Sequence, residues 1–413
     1  MSGIVLSASV RQNLLSLQST ADLLSTTQNR LATGNKVNSA LDNPTNFFTA
    51  QGLNNRSSDI NNLLDSIGNG VQVLQAANQG ITSIQKLVDT AKSIANQALQ
   101  APSGYTTKAS ATLVGGGTGT EVATADDLAG GTGTETALEG EVITFTKADG
   151  SSVAITIGAT ADEYDADAGT ATVKSVNDLN KALSAAGLGL SAALTADNTL
   201  TFTSTNDHAS QSIAAAEDAN TIGFAAADGA VDVTKGTPTA DANVQNTRAG
   251  LISQYNAVID QIKTTAQDSS FNGINLLNGD QLKLVFNETG KSTLTIQGVT
   301  FDPEGLGLKS LTAGTNFLDN ADTNAVLDTL NNASSTLRSQ ASTFGSNLSI
   351  VQIRQDFNKN LINVLQTGAS NLTLADTNEE AANSQALSTR QSIAVSALAL
   401  ANQSNQSVLQ LLR

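Results

Sequence analysis

A chain of 413 residues, 39% of them hydrophobic, is long enough for two or three packed domains. It has no cysteine and one histidine, His208, which excludes disulfides, thiolate metal sites, thiol nucleophiles and any centre needing two imidazoles. The net charge is -16, and residues 101–240 hold 18 acidic against 5 basic side chains; no basic stripe faces a phosphate backbone, so nucleic acid is excluded as a partner. No run of about 18 apolar residues marks a membrane span. The opening Met1–Leu6 lacks the basic and apolar parts of a cleaved secretory signal.

Proline cannot continue a helix interior, so Pro44, Pro102, Pro238 and Pro303 are expected boundaries. Before the first, Val10, Leu14, Leu17, Ala21, Leu24, Gln28 and Leu31 alternate steps of four and three, the seam of a coiled-coil helix. Gly34-Asn35 reads as its stop. After Pro44 the same spacing takes in Ile60, Leu64, Ile67, Val71 and Leu74. An extra three-residue step, read as a stammer, then leads to Ala77, Ile81, Ile84, Val88, Ala91, Ala95 and Ala98. Gly68, Gly70 and Gly80 lie inside this helix, each at a cost of about 1 kcal/mol relative to alanine, which packing must offset.

The middle of the chain changes period. Ile143 and Phe145 alternate before Asp149-Gly150, and Val153, Ile155 and Ile157 after it, which predicts a hairpin. Ser175-Val176-Asn177-Asp178 reads as a capping box opening a short helix that Gly187 ends. A second hairpin runs from Leu190–Leu194 through a turn near Asp197-Asn198 to Leu200 and Phe202, giving a ββαββ unit. Gly116–Glu121 recurs as Gly130–Glu135; a calcium turn is one reading, but the acid is Glu and the spacing 14, so a solvated loop is preferred. His208 is expected to be an exposed loop residue. The run Asp162, Glu163, Asp165 and Asp167 is expected to be solvated. No catalytic triad or Walker-type constellation appears, so the chain is read as non-enzymatic, without cofactor or metal.

The helical period returns with Val244, Leu251, Tyr255, Val258, Ile259 and Ile262. Ser270-Phe271-Asn272-Gly273 precedes another hairpin, with Leu282, Leu284 and Phe286 on one arm and Leu294, Ile296 and Val299 on the other. Two more heptad runs follow. One uses Leu330, Ser334, Leu337, Ala341, Phe344, Leu348 and Val351; the last uses Leu387, Gln391, Ala394, Leu398, Ala401, Asn405, Val408 and Leu412. The last helix also carries a second apolar row, Ile393, Ala397, Leu400 and Leu411, and after Glu380 only Arg390 and Arg413 are charged. That is more apolar surface than one partner helix covers, so lateral assembly is expected. A membrane-surface role is disfavoured because the polar face is not basic.

Three stretches resemble one family. Leu31-Ala32-Thr33-Gly34-Asn35-Lys36-Val37-Asn38-Ser39-Ala40-Leu41-Asp42-Asn43-Pro44 is similar to the flagellin N-terminal signature in its alphaproteobacterial form. Residues 268–277 resemble the flagellin segment before its hairpin, and Ala401–Arg413 resembles the flagellin C-terminus. More weakly, residues 141–215 resemble a small module inserted in many flagellins. The resemblance implies a mainly α fold with β insertions: long coiled-coil helices from both termini, a β-hairpin, and a small inserted α+β outer domain.

By that resemblance, 1–44 and 366–413 form an inner-tube coiled coil packed through Val10, Leu14, Leu17, Ala21, Leu24, Leu31, Leu387, Ala394, Leu398, Ala401, Val408 and Leu412. Residues 45–101 and 238–365, with a hairpin at about 281–301, form a helical shell packed through Ile60, Leu64, Ile67, Val71, Leu74, Ile81, Ile84, Val88, Leu337, Phe344, Leu348 and Val351. Residues 102–237 project outward. The implied partners are many copies of the chain, paralogous flagellins, and the flagellar export apparatus, export chaperone, filament cap and hook–filament junction proteins, outside the cell. The alternatives are a hook–filament junction protein and a secreted calcium-binding adhesin. In many flagellins an Arg-rich stretch of the long helix is read by an innate immune receptor; here Asp89, Thr90 and Lys92 stand in that stretch. Thr90 has no guanidinium fork, so weak activation is expected.

Overall fold

The computed structural model describes residues 8–114, 123–129, 138–195, 199–215, 221–227 and 230–411. Two helices, α1 (Ala8–Thr33) and α2 (Pro44–Gln100), lead into a β-rich insertion. Its elements are β1 (Tyr105–Thr107), β2 (Ser110–Val114), β3 (Val142–Thr146), β4 (Ser152–Ile157), β5 (Asp162–Asp165), β6 (Thr170–Val173), α3 (Val176–Ala185), β7 (Leu190–Leu194), β8 (Thr199–Ser204), β9 (Ser212–Ala214), β10 (Thr221–Ala226), β11 (Ala230–Lys235) and β12 (Thr239–Ala240). Then come α4 (Ala242–Asp268), the hairpin β13 (Gln281–Val285) and β14 (Thr293–Gln297), α5 (Asn320–Thr373) and α6 (Thr377–Leu411). The chain is thus mainly helical, with long terminal helices and a central β-rich domain.

The chain divides into two compact bodies, and the cuts fall inside α2 and α5 rather than at the prolines. The first holds residues up to Gln72, Leu282–Ile296, and everything from Ser346. In it α1 and α6 pair antiparallel. Gly34 at φ +71° turns the chain out of α1, and the N–H of Lys36 donates to the carbonyl of Thr373 at 2.7 Å while that of Ala375 donates to Gly34 at 2.9 Å. Further along, Ile60 of α2 meets Ile362 and Leu365 of α5, with Leu53, Leu64 and Leu361 around them. The hairpin lies on both helices. A Cβ on Gly70 would overlap Leu284, so this glycine inside α2 exists to admit the hairpin. Asn358 is buried in α5 and its amide donates to the Phe286 carbonyl at 3.0 Å. Arg354 stacks over the Phe286 ring at 5.9 Å, and Arg56 pairs with Glu288 at 2.8 Å.

The second body holds Val73–Gln281 and Gln297–Gly345. Where the extra three-residue step falls in α2, Val73, Leu74, Ala77, Ile81, Ile84 and Val88 are all buried. Gly80 lies against Ser269 and Leu277 with no room for a side chain. Arg248 of α4 is fully buried and closes the end of α2, donating to the carbonyls of Phe317 at 2.9 Å, Pro102 at 3.0 Å and Ala101 at 3.5 Å. Burial holds its pKa below the usual arginine value.

The insertion is larger than the expected ββαββ unit. Its hairpins β3–β4 and β7–β8 are present, and Ser175 and Asp178 form the capping box of α3, but the two hairpins belong to different sheets. One sheet runs β5-β6-β4-β3-β10-β9 and the other β11-β2-β8-β7. Phe145 and Phe224 from the first meet Phe202 from the second at 5.2–5.4 Å, making the centre of the core. The acidic run is exposed, yet Asp162–Asp165 is the edge strand β5. At the β7 edge of the second sheet, Asn180 of α3 donates to the Ala192 carbonyl at 3.0 Å and accepts its N–H at 2.7 Å, occupying the positions a further strand would take. His208 departs from expectation: it is half-buried, with its ring laid over Gly189, a residue at φ +65°. The duplicated Gly116–Glu121 and Gly130–Glu135 and the turn at Asp197-Asn198 lie outside the described residues.

Candidate assembly surface

Helices with seven-residue periodicity bury one row against one partner and leave neighbouring rows outside. On α1 the covered row is rotated by one position from the expected seam. Val10, Thr20 and Thr27 are buried and Leu17, Ala21 and Leu24 half-buried, whereas Leu14 and Leu31 are 44% and 40% exposed. On α6, Leu387, Ala394, Leu398 and Ala401 are half-buried. The side chain of Val408 and all of Leu412 lie outside the described residues. Arg30 and Glu380 close this helix pair with a 3.2 Å ion pair.

The expected shell residues lie on the inward faces of their helices. Ile60, Ile67, Leu74, Ile81, Ile84, Val88, Leu337, Phe344 and Val351 are buried, and Leu64, Val71 and Leu348 half-buried. Asp89 and Thr90 face solvent; Gln85 donates to Asp89 at 3.1 Å, the Thr90 hydroxyl donates back to the Lys86 carbonyl at 2.9 Å, and Lys92 is half-buried.

What remains uncovered is the informative part. Fifteen large apolar side chains are exposed among the described residues, and fourteen belong to the body that holds the terminal helices; the exception is Phe271. They form rows. Ile350, Ile353, Phe357 and Val364 step by three, four and seven along α5, a second heptad seam beside the buried one. Ile393 and Leu400 repeat the step on α6, at 65% and 70% exposure, and Leu15 and Leu23 stand out on α1. The α5 row is not among the expected sites, because its spacing overlaps that of the buried seam Leu337, Phe344 and Val351. Between α1 and α2, Leu41 is 97% exposed on a turn held by the Asp42 carboxylate, which accepts the N–H groups of Ser39 at 2.8 Å and Asn38 at 3.0 Å. Those bonds keep the Asp42 pKa below the usual carboxylate value.

Exposed apolar rows on this scale mark a surface made to be covered. Residues 5–114 match the bacterial flagellin N-terminal helical region, and residues 327–412 match the bacterial flagellin C-terminal helical region. Both ends of the chain are thus similar to bacterial flagellin. Flagellin FljM of Caulobacter vibrioides is 33% identical over 165 residues, 40% of this chain and 59% of that one. A flagellin of Brucella melitensis is 26% identical over 39% of this chain and 60% of its own. Flagellin A of Rhizobium meliloti is 35% identical over 22% of this chain and 23% of its own. The chain thus spans about three-fifths of the length of the first of these relatives. The two matched flagellin regions contain α1, α2, most of α5 and α6, hence most of the exposed apolar rows. Among the described residues no helix is long and apolar enough to cross a membrane, and no cluster of three or more His, Cys, Asp or Glu side chains is placed to hold a metal ion.

Proposed function

We propose that the chain is the structural subunit of an extracellular flagellar filament, a non-catalytic protein that polymerises with copies of itself into a helical tube driving motility. The observation that carries the reading is the concentration of exposed apolar rows on the body built from the terminal helices. A single chain leaves these rows in water, and at about 25 cal/mol per Å² their burial between copies is a sufficient driving force for assembly. In this reading α1 and α6 line the inner tube, α2, α4, α5 and the hairpin form the shell, and the β-rich insertion projects. Paralogous flagellins, an export chaperone, the export apparatus, the filament cap and junction proteins are the partners this role calls for.

Deleting residues 377–413 tests the inner-tube assignment. The truncated chain is expected to stay soluble and fail to polymerise in a seeded sedimentation assay. Filaments from the truncated chain would remove the assignment.

A further inference from the structure

The α1–α6 pair encloses a groove that its apolar packing does not fill. Leu23, Thr27 and Arg30 follow one another by steps of four and three along α1, and Asn383, Leu387 and Arg390 by the same steps along α6. Side chains at that spacing share one helix face, and here the two faces line a groove of about 590 Å³.

Thr27 is only 7% exposed and lines this groove, yet its hydroxyl has no hydrogen-bond partner among the described residues. The other threonines of α1 behave differently: Thr20, Thr26 and Thr33 each donate to the carbonyl four residues back, at 2.8, 2.9 and 2.8 Å. A buried hydroxyl without a partner is costly, so one that faces a cavity points to a polar ligand there. The charge of the groove says which kind. Arg30, Arg390 and Glu380 bring it two permanent cations and one carboxylate. Glu380 is occupied by Arg30 at 3.2 Å, and Arg390, the only basic residue in the span of α6, is in no ion pair among the described residues. Side chains lean toward the N-terminus of their helix, which in an antiparallel pair carries Arg30 toward Thr27 and Arg390 toward Asn383. Both cations thus lean into the middle of the groove from its two ends.

We propose that this groove is a binding site for a small oxyanion of the phosphate or sulfate class. The planar guanidinium of Arg390 presents paired N–H donors that match two oxygens of such an anion. The Thr27 hydroxyl donates to a third, and Arg30 adds positive charge while keeping its bond to Glu380. An anion held this way ties α1 to α6 at a second point beyond the Arg30–Glu380 pair. The site lies within one chain, so it does not depend on polymerisation.

Hydrogen exchange of the full-length chain at pH 7, below the concentration at which it assembles, reads the site when sodium phosphate or sodium sulfate replaces sodium chloride at constant ionic strength. Peptides covering 20–31 and 380–391 are expected to gain several-fold protection that saturates in the low millimolar range, with the β3 and β4 peptides unchanged. Thr27→Val keeps the shape and removes the hydroxyl, and Arg390→Gln removes the free cation. Each is expected to weaken the apparent affinity by about five-fold or more, while Arg390→Lys retains part of it. Arg11→Gln makes the same charge change at an exposed position of α1 outside the groove, and is expected to bind as the unsubstituted chain does. Absence of anion-dependent protection, or protection that Thr27→Val and Arg390→Gln leave intact, overturns the proposal. So does protection that Arg11→Gln removes equally, which would be general charge screening. Protection that rises with protein concentration in chloride alone also overturns it, because a carboxylate of a second copy would then fill the groove.

Discussion

Arg30 of α1 donates to Glu380 of α6 across 3.2 Å, joining two residues 350 positions apart in the chain. The carboxylate is the more enclosed partner, 11% exposed against 37% for the arginine side chain. Losing the arginine therefore strands a largely desolvated charge, whereas losing the carboxylate frees a guanidinium that reaches water. Arg30→Ala is expected to destabilise the α1–α6 pair by about 1 kcal/mol. Glu380→Gln, which keeps an acceptor, is expected to cost less. Helix loss followed by circular dichroism on heating ranks the two; equal effects would place the ion pair in solvent.

Glycines separate into those that admit a neighbour and those that do not. A Cβ on Gly298 would strike the backbone carbonyls of Asp280 and Leu276, which cannot move aside as a side chain would. Gly298→Ala is expected to destabilise the second body by about 2 kcal/mol or more. Gly52, mid-helix in α2 with nothing within 4 Å, is the control: Gly52→Ala is expected to add about 0.5–1 kcal/mol. Denaturant midpoints of the two variants should move in opposite directions.

Tyr255 is buried, and loss of hydration raises its pKa to about 12 from 10.0. The native state thus holds the phenolic proton more tightly than the unfolded chain. Stability from this group is fully present below pH 10 and is lost as pH rises from 10 to 12. Absorbance titration near 295 nm should show Tyr255 ionising late and together with alkaline unfolding. Three tyrosines titrating together near pH 10 in a still-folded chain would contradict the burial.

The helices were legible because their signals are local. Gly34, the Ser175–Asp178 box and the Leu330–Val351 heptad each act within a few turns. The hairpin at β13–β14 was legible for the same reason, since its turn closes within the segment: the Asn287 side chain accepts the Ser292 N–H at 2.9 Å and Gly290 sits at φ +69°. The two sheets of the insertion were not. Their register pairs Phe145 with Phe224 and Leu113 with Val231, partners far apart in sequence, and no period within one strand encodes its neighbour. Arg248 was hidden because a buried cation that donates to backbone carbonyls has no sequence pattern. On the assembly surface, the seam through Ile350, Ile353, Phe357 and Val364 overlaps the buried seam in spacing, and burial alone tells the two apart.

Polymerisation of full-length protein bearing Ile353→Lys and Phe357→Lys tests the account most directly. Both side chains are exposed in the single chain, at 67% and 56%, so the substitutions leave its packing intact. Under seeding or salting-out, followed by sedimentation and electron microscopy, the unsubstituted chain is predicted to form helical filaments. The doubly substituted chain is predicted to remain monomeric with an unchanged melting temperature. An unsubstituted chain that stays monomeric under these conditions, or a substituted one that forms the same filaments, would contradict the assembly role of the exposed apolar rows.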